Sequence, residues 1–307
     1  MNIAFLEFGE LSSFNKIMNN HLSLFENNII EIKKFLNIKN DDVIDIYILT
    51  DKTKELDIYI KTLKKILLKQ NVKLKLLNFW QDLEKYHNKD IESYQKYKHI
   101  LNIEEYGYDT NNLHHKPWGY DNKKNFNPGN LWFRRFVNFD LFNNYIINNN
   151  LNYEYICLTR LFSTKIINLK SISNINKDYL YFSLDTLFIG SFDNIKKLLE
   201  FGSKSLFLNN KHKITKKPII LNDVDFINYS NSLDNIIGNH VFCSEIQILY
   251  YIYKNFRNYI NLRFPFPNYI SNKKIHELVY TNNYNKKYLE EECFKIENCN
   301  LFIVISR

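Results

Sequence analysis

Several signatures that would place this chain in a familiar class are missing from it. No apolar run approaches the roughly 20 residues of a membrane-spanning helix, and the opening IAFLEFG is too short and too acidic for a secretory signal. The four cysteines, Cys157, Cys243, Cys293 and Cys299, form no CxxC pair. That speaks against a zinc knuckle or a disulfide framework and fits a reducing compartment. The Gly-x-Gly-x-x-Gly fingerprint is absent too, which disfavours a dinucleotide-dependent dehydrogenase. There is no internal repeat, and the Asn-rich patches read as genomic composition. The chain is expected to be soluble and cytoplasmic, without a membrane span.

Charge is in excess but ungathered. The net charge is +8 and the pI about 9.0, yet the lysines are spread through almost every segment alongside a surplus of Asn, Ile, Tyr and Phe. An AT-rich coding bias explains this balance more simply than a nucleic-acid partner does, because polyanion binding calls for clustered Lys and Arg. What the chain does have is enough apolar residues, 45% of 307, to bury a sizeable core.

The apolar residues alternate between two periods. IAFLEF reads as a buried strand ending at Gly9, and Leu22, Phe25, Ile29, Ile32, Phe35 and Leu36 then recur at helical spacing. VIDIYILT is a second strand stopping at Asp51. Leu56, Ile60, Leu63, Leu67 and Leu68 form a helical stripe, and VKLKLLNF is a third strand. Strands alternating with helices predict a mainly parallel α/β sheet with right-handed crossovers. Residues 80–130 lose periodicity and read as an irregular insertion or lid between a nucleotide-binding half (1–80) and a second half (130–307) of one domain. A helix is predicted over 130–146, strands over 153–160, 179–182 and 186–189, and a helix over 193–201 capped by Asp193 and closed by Gly202. Short strands at 205–208 and 217–221, a helix over 244–256 and a last strand, LFIVIS, complete the reading.

Sheets of this kind bind ligands beyond the carboxyl ends of their strands. The residues to inspect are therefore Gly9 to Ser13, Thr50 to Lys52, Thr159 to Phe162, and Asp185, which interrupts YLYFSLDTLFIGS. The Gly9, Glu10, Leu11, Ser12, Ser13 turn would let a ligand reach backbone N–H groups at a helix start; it is equally an ordinary turn with a serine N-cap. Asp51 reads either as a ribose or base acceptor or as the N-cap of the next helix. Arg160, ending a hydrophobic strand, and one of Arg134 and Arg135 could grip a diphosphate bidentately. The alternatives are surface charge for the helical pair and a structural ion pair for Arg160. Glu245, opening a helix, reads as a general base or as a first-turn glutamate favoured by the helix dipole. His240 reads as a ligand or base or as a structural residue, the pair His114 and His115 as structural, and Trp118, Tyr120 and Trp132 as core or as a stacking surface.

In their order, FGxL, DIYILTD, a Trp and Arg helix, YEYICLTR, YFSLDTLFIGSFDNI and SEIQI resemble the GT-A-type glycosyltransferases, including viral and bacterial members, over residues 1–51 and 130–267. The resemblance implies a GT-A (Rossmann-like) fold, a nucleoside-diphosphate sugar under the first strands, Mn²⁺ or Mg²⁺ bridging its diphosphate, and a glycan, lipid or protein acceptor over the later loops. Arg160 and Asp185 match the pattern, Asp185 as metal ligand and catalytic carboxylate. The chain departs from it where Arg-x-Asp becomes Arg160, Leu161, Phe162, and where the first loop has serines for a basic residue. These departures leave metal-independent transfer, or a relative that only binds nucleotide, beside the metal-dependent reading; a basic RNA-binding protein is the third alternative.

Overall fold

The first three apolar runs form strands β1 (Asn2–Gly9), β2 (Val43–Asp51) and β3 (Lys73–Gln81), linked by helices α1 (Phe14–Phe35) and α2 (Glu55–Leu68). After β3 come a helix α3 over 142–148, β4 (Tyr155–Arg160), β5 (Thr164–Asn168), β6 (Leu180–Ser183), β7 (Leu187–Ser191) and α4 (Phe192–Leu199). The helix α5 (Ser244–Asn255), β8 (Tyr259–Asn261) and β9 (Phe302–Ser306) follow. This computed structural model describes residues 1–9, 14–39, 42–51, 55–68, 73–81, 142–160, 164–168, 175–183, 186–200, 224–225, 228, 244–262, 291 and 302–306. The strands expected at 205–208 and 217–221 lie outside them, as does most of the 80–130 segment.

The chain divides into two compact units. One comprises Met1–Gln81, Asn152–Ile195 and Asn258–Arg307, the other Asp82–Leu151 and Lys196–Arg257. All the strands among the described residues belong to the first. Seven of them form one sheet in the order β3-β2-β1-β4-β7-β6-β8, in which only β7 runs antiparallel to its neighbours. LFIVIS departs from the simplest expectation of one sheet: as β9 it pairs with β5 in a separate two-stranded sheet.

Both faces of the main sheet are buried, as a parallel sheet requires. One face carries Ile3, Phe5, Ile44, Ile46, Ile48, Tyr155, Cys157, Leu187 and Ile189. It packs against Phe25, Ile29, Ile32 and Phe35 of α1 and Tyr59, Ile60, Leu63 and Leu67 of α2. Phe5 and Phe25 meet edge to face at 5.5 Å. On the other face Ala4, Leu6, Phe8, Ile156, Leu158, Phe182 and Phe188 are buried. There α4 starts directly after β7, and a Cβ on Gly190 would stand 3.3 Å from the Asn194 Cβ, so a glycine lets helix and strand approach.

Two details differ from the sequence pattern. Leu68 is 81% exposed: at 100° per residue it sits opposite Tyr59, and the true stripe is Tyr59, Ile60, Leu63 and Leu67. Asp193 does not cap α4. It lies exposed within the first turn, and Ser191 Oγ accepts the Asn194 N–H at 3.4 Å. Of the helix predicted over 130–146, residues 130–141 lie outside the described residues; 142–148 are helical, with Phe142 and Ile146 buried.

Candidate functional site

The chain leaves β1 for β2 on one side and returns from β3 to β4 on the other. The strand order therefore switches between β1 and β4, and open α/β sheets bind ligands in the crevice beyond the carboxyl ends at such a switch. Register places the candidates there. Phe8 pairs with Arg160 and Gly9 with Thr50, so Gly9, Asp51 and Arg160 end three neighbouring strands at one edge, the strands spaced about 4.8 Å apart. Arg160 is half-buried and by strand alternation shares the face of Leu158.

YLYFSLDTLFIGS does not run on as one interrupted strand. It folds back as a β6–β7 hairpin, with Ser183 opposite Leu187. Thr186 closes its corner: the N–H donates to Ser183 O at 3.0 Å, and the hydroxyl donates to the same carbonyl at 2.9 Å. The Thr186 carbonyl accepts the Arg160 N–H at 2.8 Å. The hairpin corner is thereby sewn to the end of β4.

Of the other candidates, Glu10, Arg134, Arg135 and Asp185 lie outside the described residues, as do His114, His115, Trp118, Tyr120, Trp132 and His240. Asp51 is the last residue of β2; its side chain and residues 52–54 lie outside the described part. Glu245 is the second residue of α5, in the other unit; its side chain is outside the described part. A hard cation bridging phosphates takes oxygen ligands, including carboxylate. Beside Arg160 the described residues supply instead two buried hydroxyls, Ser183 and Thr186, which do not by themselves fit such an ion. Among the described residues no group of three His, Cys, Asp or Glu is gathered.

Sequence reasoning passed over the polar side chains inside the strands. Glu7, 2% exposed, accepts a hydrogen bond from the buried Tyr59 hydroxyl; burial, then the charge of Glu7, pushes that phenol's pKa well up. Thr159 lies opposite Glu7 in the register; it is buried, and its Oγ1 has no hydrogen-bond partner among the described residues. On the other face Tyr153 donates to Asp45 Oδ2 at 2.9 Å and hydrogen-bonds Tyr47. Their signal is a lone acid inside an apolar run, as in IAFLEF and VIDIYIL. The Cys157 thiol is buried and held well above its usual pKa, which makes it inert.

Strand order, the two helical crossovers and the covered faces define the class: an open, mainly parallel α/β sheet of Rossmann-like form. No family model and no curated protein sequence matches the chain. Among solved structures it is similar to mouse xyloside xylosyltransferase 1 in its apo form, with a TM-score of 0.36 and 6% identity over 86% of each chain.

Proposed function

We propose that the chain is a glycosyltransferase, moving a sugar from a nucleoside-diphosphate sugar to a glycan, lipid or protein acceptor. One observation supports this above the others: the β1/β4 switch sets Arg160 at the end of β4 next to Gly9 at the end of β1, with the β6–β7 corner tied to the Arg160 backbone. Gly9, Glu10 and Asp51 are assigned to the nucleotide. Arg160, with Arg134 or Arg135, is assigned to the diphosphate, and Asp185 to the donor sugar or a metal.

In transfer, the bond from the anomeric carbon to the diphosphate oxygen breaks and a bond to the acceptor oxygen forms. Negative charge grows on the departing diphosphate, and a guanidinium already in place stabilises it without reorganisation. The acceptor's hydroxyl proton passes to a carboxylate, for which Glu245 is the candidate. Holding donor and acceptor together supplies the remainder of the rate. No step here is routed through a metal; a bound cation would add charge neutralisation at the same diphosphate.

The test incubates the full chain with UDP-, GDP- and dTDP-sugars, with Mn²⁺, with Mg²⁺ and without metal, measuring free nucleoside diphosphate. Release from at least one donor, lowered at least tenfold by Arg160→Ala, is expected. Absence of release from every donor, together with no thermal shift from the free nucleotides, contradicts the proposal.

A further inference from the structure

Thr186 directs its N–H, hydroxyl and carbonyl to one junction. Its N–H and hydroxyl both donate to Ser183 O, at 3.0 and 2.9 Å, and its carbonyl accepts the N–H of Arg160 at 2.8 Å. Ser183 is fully buried and Thr186 is 1% exposed, so water does not compete for these bonds, and losing one inside the protein costs more than it would at the surface. Arg160 is the last residue of β4 and half-buried. Arg160 pairs with Phe8 of β1 on one side, and on the other its N–H is taken by the Thr186 carbonyl, so this second bond helps fix where the arginine side chain departs from the sheet. Apolar packing needs no hydroxyl at this corner, since valine would fill the same volume.

We infer that Thr186 is a positioning residue for Arg160, locking the β6–β7 corner so that the guanidinium meets a diphosphate at the β1/β4 crevice. This rests on the nucleotide-sugar reading for its ligand and on the hydrogen bonds for its mechanism. A side chain displaced by about 1 Å from a charged ligand loses much of a bidentate contact. The loss should appear for the diphosphate and not for the nucleoside.

Two variants of the full chain, Thr186→Val and Thr186→Ser, are compared with wild type by calorimetric binding of UDP, GDP and dTDP. Uridine, guanosine and thymidine serve as phosphate-free controls. Thr186→Val is expected to weaken the preferred nucleoside diphosphate about tenfold and its nucleoside less than twofold, whereas Thr186→Ser restores binding. In an Arg160→Ala background Thr186→Val should add no further loss. Equal losses for nucleotide and nucleoside, or a loss that persists without Arg160, would overturn the inference. Should wild type bind no nucleotide, the transferase reading fails first, and amide exchange then tests the junction by itself. Faster exchange of the Arg160 N–H in Thr186→Val but not in Thr186→Ser upholds the lock; unchanged exchange refutes it.

Discussion

Thr159 carries a buried hydroxyl with no hydrogen-bond partner among the described residues, on a sheet face otherwise made largely of isoleucine, phenylalanine and leucine. Burying an unsatisfied hydroxyl costs on the order of 1 kcal/mol or more, and an apolar group of the same shape avoids that cost. Thr159→Val should therefore raise stability by about 1 kcal/mol, read as a higher denaturant midpoint at unchanged slope. Lys165 presents the opposite case of a charge held inside. It is 2% exposed, and burial lowers its pKa from 10.5 to about 8. The folded state thus binds fewer protons than the unfolded between pH 8 and 10.5, so stability rises with pH through that window, and the burial penalty is full below it. Lys165→Met is expected to be more stable than wild type at pH 7, with the gap shrinking as pH climbs from 8 to 10.5. A gap independent of pH would show that burial is not the cause.

Elements in this protein are closed by asparagine. α1 ends with Ile38 N–H donating to Lys33 O and Asn37 N–H to Lys34 O, with Asn37 at φ 52°; α3 ends the same way, Asn150 standing at φ 50°. Both are Schellman caps, whose left-handed residue is usually glycine. So part of what looks like compositional bias has a positional meaning. Asn37→Val should cost about 1–2 kcal/mol and Asn37→Gly almost nothing, by thermal melting. Asparagine also covers a strand edge: Asn28 Oδ1 accepts the Ile166 N–H at 2.9 Å, and Asn27 donates to Ile166 O at 3.1 Å. Neither device was legible, because hydrophobic period reports which residues are buried and not where polar side chains meet backbone. The buried bond from Tyr153 to Asp45 was hidden for the same reason, its partners being 108 residues apart. Tyr153→Phe should lower stability by about 1–3 kcal/mol, since it strips a buried carboxylate of a donor; an unchanged midpoint would count against that network.

At the scale of the whole molecule, the alternation of period-2 and period-3.6 runs was enough to foretell β1, α1, β2, α2 and β3, and with them a parallel sheet. Burial on both faces makes such strands near-continuous apolar runs, which sequence displays plainly. The β6–β7 hairpin was harder, since two short strands flanking Ser183 and Thr186 look the same whether the chain continues or turns back. The β5–β9 pairing, across more than 130 residues, left no local mark. Of the proposed site, the ends of β1, β2 and β4 were visible as the residues just past each run; the register that sets Phe8 opposite Arg160 was not.

Amide hydrogen exchange of the full chain, with and without saturating nucleoside diphosphate, tests the central claim most directly. A ligand in the β1/β4 crevice should slow exchange at the carboxyl ends of β1 and β4 and at the Ser183–Thr186 corner, and leave the amino ends of those strands untouched. Protection confined to other segments, or none with any of UDP, GDP and dTDP, would contradict the account.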